Sequence, residues 1–364
     1  MNMDICLVFN FHAKKPLNSF SFFDIGKNHS YFDKASAEKT FLEEANLKHL
    51  PLLDAIIKLS SKKDHSFSLF FSGFFLELMS EHYPKYISDI EKLVKSGKIE
   101  LLGGTYNNSL SCLFSLDLFK IEIAKHRKVI KSLFDSEPTC FSNTENIYSN
   151  ELGNIIKELK FKSAIAPAID WFLGENNQYQ VFQSNGEKKL SLLVTDYKIN
   201  QLLINSNASL LKDKSLNDKV YVAQINPTSA NPNTNWMDLM SGIKTRKNKF
   251  ILTSDALKAH TSSAIYNIPT ALAVNSSGQD LPTFIESPIQ KETLEKLKST
   301  KAQLHIKGDK KLLEDFLPLC AAENLLRMNT KINSDNVTEP YDQYLSMMNI
   351  LSDLEIRISK HKDT

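Results

Sequence analysis

The sequence predicts an α/β fold with a parallel sheet, and two patterns carry that prediction. Short apolar runs alternate with longer amphipathic stretches through residues 5–252. Runs such as Leu7-Val8-Phe9 and Leu192-Leu193-Val194 are apolar on both faces, as in strands covered by helices on either side. Strands alternating with helices imply parallel pairing through right-handed crossovers. A barrel and an open doubly wound sheet both satisfy that alternation. Neither GxGxxG nor GxxxxGKS/T follows the first strand, so nothing indicates a nucleotide.

The elements are read in order. Ile5–Phe11 is the first strand, followed by a polar and aromatic excursion at Lys14–Lys39. Ala45–Leu59 carries Leu47, Leu50, Leu53, Ile56 and Ile57 at helical spacing. Phe67–Phe71 is a second strand, and Phe75–Val94 a helix kinked at Pro84 and stopped at Ser96-Gly97-Lys98. Ile99–Leu102 is a third strand. Leu118–Phe134 is a helix with Phe119, Ile123, Ile130 and Phe134 on one stripe. Strands follow at Thr139–Ser142, Ser163–Ala166, Leu190–Thr195 and Val220–Ile225, with helices at Glu151–Leu159 and Trp236–Ile243. Phe250–Leu252 is an eighth short strand or an edge. Ala264–Asp280, rich in Ser, Asn and Ala, reads as a loop or linker. Glu292–Leu297, Lys310–Met328 and Tyr341–Ile358 read as helices.

Composition narrows the function classes. The chain has 364 residues, enough for a barrel of ~250 residues and an appendage. Lys and Arg number 44 against 42 Asp and Glu, so no broad basic field offers itself to nucleic acid. The run Lys244–Lys249 reads as a solvated loop. Cys6, Cys112, Cys140 and Cys320 show neither a CxxC pair nor metal spacing and read as buried free thiols. The N-terminus has no basic region ahead of its apolar stretch and reads as a strand rather than a signal peptide. No run of ~18 apolar residues exists, so no membrane span is expected. A cytoplasmic location is the expectation. The oligomeric state is left open.

A barrel collects its chemistry at the carboxyl ends of its strands. Here six of the seven expected strands end in polar or aromatic groups. The first ends in Asn10-Phe11-His12, the third runs into Tyr106-Asn107-Asn108, and the fourth into Asn143-Thr144-Glu145-Asn146. The sixth ends in Thr195-Asp196-Tyr197 and the seventh in Asn226-Pro227-Thr228.

Several of these stretches resemble glycoside hydrolase family 57, the α-amylase and glucan-branching group. Pro138-Thr139-Cys140-Phe141-Ser142-Asn143-Thr144-Glu145-Asn146-Ile147-Tyr148 resembles its nucleophile motif. Ile5–His12 is similar to its first motif, Glu100–Tyr106 with Ser109-Leu110-Ser111 to its second, and Phe22–Gly26 with Tyr31–Asp33 to a segment of its shorter α-amylase-like members. Asp170-Trp171-Phe172-Leu173-Gly174 matches a further stretch, and the resemblance runs over residues 1–260 in order. It implies an incomplete (β/α)7 barrel, here over residues 1–262, and the changed, helical pattern beyond it reads as a C-terminal helical region over 263–364. The resemblance implies a retaining hydrolase of α-glucan or maltooligosaccharide, with no cofactor. Glu145 would be the nucleophile. A lone Glu is more often an ion-pair acid or helix cap, and the surrounding motif reverses that reading. Independently, an ionised carboxylate at a strand end suits attack on an anomeric carbon.

The pattern breaks at the acid. Retention needs a second carboxyl ~5–5.5 Å from the first. The resemblance places it at the end of the seventh strand, where this chain has Asn226, and an amide has no proton to give. Ala13 follows His12 where the family has Gln, and Asn108 stands near an expected His. Leu203-Ile204-Asn205 replaces an expected basic residue. These losses leave open whether the chain is an active hydrolase or a pseudoenzyme that binds glucan or protein. Asp196 is the best substitute acid. Asp238 is another candidate, whereas Asp255 reads as the cap of Asp255–Lys258. His12, Tyr106, Asn108, Asp170 and Trp171 are the candidate sugar contacts. A metal-dependent deacetylase-like hydrolase is a distant alternative, because no HxH or HxxxH pair occurs and no metal site is expected.

Overall fold

The computed structural model describes residues 3–195, 197, 200, 201, 205, 219–243, 248–260, 264–275, 278–304, 310–332 and 338–362. Ten strands lie among them: β1 (Met3–Phe11), β2 (Phe67–Phe71), β3 (Ile99–Leu101), β4 (Cys140–Phe141), β5 (Ser163–Pro167), β6 (Val181–Ser184), β7 (Ser191–Thr195), β8 (Val220–Ile225), β9 (Asn248–Phe250) and β10 (Ile265–Tyr266). One sheet runs β3-β2-β1-β8, with β9 also on β1; the other runs β10-β6-β7-β5-β4. Every pairing is parallel except β6 with β7. The sheets join where Gly103 bridges Phe141, with Gly103 N–H donating to Cys140 at 2.9 Å and Ser142 N–H to Gly103 at 2.7 Å.

The ring is therefore β1-β2-β3-β4-β5-β7-β8. β7 and β8 lie alongside each other, and no ladder joins them among the described residues. This is an incomplete (β/α)7 barrel. Its interior is filled by Cys6, Val8, Phe70, Leu102, Cys140, Ile165, Leu193 and Val222, one or two from each part of the ring. Strand periodicity then decides what reaches the mouth. In β1, Cys6 and Val8 face inward, so Asn10 and His12 continue that face. In β8, Val220 and Val222 do, so Gln224 and Asn226 follow. The alternate residues Ile5, Leu7, Phe9 and Phe11 pack under the helices.

Local physics explains where the expected elements shift. The first helical stretch starts earlier than expected, at Lys34, because Asp33 accepts from Ser36 N–H at 2.9 Å. It reaches Ser60 through a π segment at Ala45–His49, directly ahead of Pro51, which has no N–H for the helical ladder. The expected kink at Pro84 is a break between Gly73–His82 and Pro84–Lys95. Lys310–Met328 is not one helix. Pro318 splits it into Lys310–Phe316, a 3-10 turn at Leu317–Cys320, and Ala322–Leu326. Asp255 does not cap its helix, which starts at Thr253 behind Leu252; it pairs with Lys258 at 2.9 Å. The stretch 264–280, expected as loop, contributes β10. Strand β6 was not expected, and it shifts the seventh expected strand to β8. The four cysteines are free and buried.

The C-terminal helices complete the core. Pro288–Gln303 and Thr338–Lys362 pack on each other, and Leu297, Ile350, Leu354 and Ile358 share one apolar cluster with Phe119, Ile123 and Phe141 of the barrel. Buried Asp353 accepts from Gly26 N–H at 2.6 Å, from His29 Nδ1 at 2.9 Å and from the Tyr31 hydroxyl, pinning the early aromatic excursion to the last helix. No helix among the described residues is long and apolar enough to cross a membrane.

Candidate active site

At the carboxyl end of the barrel lies a cavity of about 280 Å³ lined by Asn10, His12, Phe70, Asn108, Glu145, Gln224, Asn226, Asn275 and Glu323, among others. That is near the lower end of the ~300–1,000 Å³ usual for ligand pockets. Its wall is polar, which suits a hydroxyl-rich ligand better than an apolar one.

Glu145 enters from the end of β4. The backbone there is left-handed at two successive residues, Glu145 (φ 51°) and Asn146 (φ 59°). Such a conformation costs on the order of 1–3 kcal/mol for a residue with a Cβ. Asn108, also lining the cavity, has φ 50°, so three of the six described non-glycine residues with positive φ stand around it. Imported contacts hold the strained turn. Asn146 Nδ2 donates to Thr195 Oγ1 at 2.9 Å, and Thr105 and Thr144 share a hydroxyl hydrogen bond of 2.8 Å. Gly104 lets β3 approach, since a Cβ there would stand 2.3 Å from the Phe70 ring and 2.7 Å from the Ser142 carbonyl.

The Glu145 carboxylate accepts from Asn275 Nδ2 at 2.6 Å. Burial pushes its pKa up. The hydrogen bond from Asn275, the His12 charge and the hydrogen bond from Asn108 pull it back, and Glu323 pushes it up further. Asn275 is itself fixed by Gln279, which donates its N–H to Asn275 Oδ1 at 2.9 Å. His12 Nδ1 lies 3.1 Å from Ser72 Oγ, and its Nε2 lies 3.3 Å from Glu323 Oε1.

Asn226 lines the same cavity as the cap of a 3-10 turn, Pro227–Ser229. Its Oδ1 accepts from Thr228 N–H at 3.0 Å and from Thr228 Oγ1 at 2.8 Å.

The structure thus gathers four of the expected residues, Glu145, Asn226, His12 and Asn108. Tyr106 is elsewhere: its ring lies over Gly73, where a Cβ would come within 2.2 Å, and its hydroxyl donates to Glu77 in a neighbouring cleft with Lys15 and His29. Asp170 and Trp171 sit on the short helix Asp170–Leu173 outside the cavity lining, with Trp171 87% exposed. Asp196, the expected substitute acid, lies outside the described residues, as do Leu203, Ile204 and the basic run 244–247. Asp238 is exposed and bonded to Asn235. Asn10 and Gln224 were deducible from the period of two in β1 and β8. Asn275 and Glu323 carry no local signal, because tertiary packing delivers them. Among the described residues no group of three or more His, Cys, Asp or Glu is arranged to hold a metal.

Comparison with known proteins agrees with this architecture. The model of glycosyl hydrolase family 57 matches residues 8–248. A curated relative from Methanocaldococcus jannaschii, named "Putative alpha-amylase", is 32% identical over 202 residues, which cover 53% of this chain and 42% of that protein. The chain therefore matches less than half the length of that relative. Two solved structures share the fold. The family 57 branching enzyme of Thermococcus kodakaraensis has a TM-score of 0.67 at 9% identity, covering 94% of this chain and 88% of its own. The 4-alpha-glucanotransferase of Thermococcus litoralis has a TM-score of 0.63 at 14% identity, covering 96% of this chain and 55% of its own. With two thirds of its length inside the family match and the family's barrel around Glu145, the chain belongs to glycosyl hydrolase family 57.

Proposed function

We propose that this chain acts on α-glucan by double displacement, with Glu145 as the nucleophile. The observation that carries the reading is the Glu145 carboxylate itself. It is held at a strained strand end, in a polar cavity, by amide donors that favour its charged form. An ionised carboxylate so placed attacks an anomeric carbon and leaves a glycosyl ester. The relatives named above carry α-glucan activities in their names, which supports that substrate class. In this reading His12 and Asn108, which line the cavity, bond sugar hydroxyls. Asn226 gives no proton, so the end of β8 supplies no acid, and general acid catalysis is worth ~10²–10⁴-fold.

A second reading, a barrel that binds glucan without turning it over, draws on the Asn226 amide, whose oxygen is engaged in its own turn. The two separate on incubation with maltooligosaccharides and with an activated aryl α-glucoside. Turnover of either substrate, lost by more than ~10⁴-fold in Glu145→Gln because the covalent route is gone, is the expected result. A rate unchanged by Glu145→Gln removes the hydrolase reading. Retention on a glucan affinity gel without turnover establishes the binding one.

A further inference from the structure

We propose that Glu323, delivered by the C-terminal region, is the proton donor of this site in place of the residue missing at the end of β8. The inference rests on Glu145 being the nucleophile.

Three observations support it. The first is placement. The strand-like pass at Cys320–Ala322 is stitched to the loop after β3: Leu110 N–H donates to Cys320 at 2.8 Å, Ala322 N–H donates to Asn108 at 2.9 Å, and Ser109 bridges Ala321. The helix that starts at Ala322 then turns Glu323 into the cavity that Glu145 lines. Both carboxylates therefore line one cavity of about 280 Å³, close enough for Glu323 to act electrostatically on Glu145.

The second is hydrogen bonding. Among the described residues, Glu44, Glu145 and Glu323 are the carboxylates that line the cavity, and Glu44 faces Lys14 at 3.7 Å. Glu323 is 12% exposed. Its Oε1 faces His12, while its Oε2 is buried with no hydrogen-bond partner among the described residues. A buried carboxylate oxygen without a donor is costly. A protonated one, aimed at a substrate oxygen, is not.

The third is the division of charge. Two carboxyls in one cavity disfavour double ionisation. Glu323 already acts on Glu145 in that sense, raising its pKa. Asn275 and Asn108 donate to Glu145 and favour its charged form, and no such donor reaches Glu323 Oε2 among the described residues.

The steps balance. The Glu145 carboxylate bonds to the anomeric carbon as the glycosidic C–O bond breaks, and the Glu323 proton passes to the departing oxygen. Water then attacks the anomeric carbon, its proton returns to Glu323, and the ester bond to Glu145 breaks. The nucleophile and the acid are both restored.

The test uses the full chain with Glu323→Gln and Glu323→Asp on an unactivated maltooligosaccharide and on a dinitrophenyl α-glucoside, with thermal melting to confirm folding. In Glu323→Gln, the expected loss on the maltooligosaccharide is ~10²–10⁴-fold. The activated substrate, whose leaving group needs no proton, keeps its first step, and azide accelerates it with release of a glycosyl azide. Glu323→Asp, whose carboxyl is one methylene short, falls between wild type and Gln on the maltooligosaccharide; this comparison carries the test if the Gln variant does not fold. Equal losses on both substrates without azide rescue, or no loss on either, overturn Glu323 while leaving Glu145 in place. A rate insensitive to Glu145→Gln overturns the nucleophile, and absence of turnover by wild type on both substrates overturns the two together.

Discussion

The ends of β4 and β8 are equivalent positions in one barrel, yet they are built in opposite ways. Each leaves a buried strand and enters a 3-10 turn, Thr144–Asn146 after β4 and Pro227–Ser229 after β8. At β4 the acidic residue stands in left-handed backbone, and the donors to its carboxylate come from Asn275 and Asn108, far away in sequence. At β8 the amide oxygen accepts from Thr228, the second residue beyond it, within its own turn. A group satisfied by its own turn is fit for structure. A group that needs remote partners and strain is fit for chemistry, because its local conformation is not what stabilises it.

The contrast is broken most strongly by slackening the β4 side alone. The loop that carries Asn108 and anchors the Glu323 segment is tied down by Glu122, which accepts from Asn107 N–H and from Asn107 Nδ2, each at 2.7 Å. Burial pushes the Glu122 pKa up to about 7, against the pull of the Asn107 hydrogen bonds. A carboxyl raised in the folded state binds its proton more tightly there than in the unfolded chain. Its contribution is therefore complete below about pH 4.5 and is lost as pH rises toward 7, by up to about 1.4 kcal/mol per pH unit. Glu122→Gln keeps both hydrogen bonds if the Asn107 amide turns over, and it removes the titration. Chemical denaturation from pH 4.5 to 7.5 should give a difference between the two proteins that grows in favour of Gln. Buried His49 and His126, whose pKa values are lowered by burial, are common to both and cancel. A flat difference would mean that Glu122 stays ionised throughout.

A smaller change sharpens the comparison at the carboxylate itself. Asn275→Ala removes the 2.6 Å hydrogen bond to Glu145, whose charged form it favours. The Glu145 pKa rises further, so the acid limb of the rate profile moves to higher pH. A charge-assisted hydrogen bond is worth ~1.5–3 kcal/mol, so the rate on the acid side falls by about tenfold or more. An unmoved limb would show that Asn275 does not hold the nucleophile.

What could be read beforehand divides along the same line. β1, β2 and β8 are apolar and parallel, so their limits were close to those expected, and Asn226 followed as the polar residue at the end of β8, whereas Glu145 was legible through the motif that follows β4. β6 was invisible because it has only four residues and turns antiparallel against β7. The break at Pro318 lay inside a convincing apolar stripe, where periodicity outweighed the missing N–H. Tyr106 was misplaced because its ring needs Gly73, thirty-three positions earlier, to make room. Asn275 sits in a stretch that reads as linker, and Glu323 behind two alanines. Neither has a pattern of its own, because their roles exist only once the C-terminal region closes on the barrel mouth.

The gentlest perturbation falls on β8. Asn226→Ala removes the cap of the Pro227–Ser229 turn, a loss of ~1 kcal/mol by the usual worth of such caps. Asn226→Asp keeps an acceptor for Thr228 and should melt with wild type. If β8 is purely structural, both variants hydrolyse glucan at the wild-type rate, and only the alanine melts earlier. Asn226→Asp also restores a carboxyl where the resemblance puts the family's acid. A gain of ~10²-fold or more in that variant would show that the donor position at β8 was empty and that Glu323 had not filled it. The expected absence of such a gain, with the stability order intact, leaves the end of β8 as a cap and the chemistry between the end of β4 and the C-terminal region.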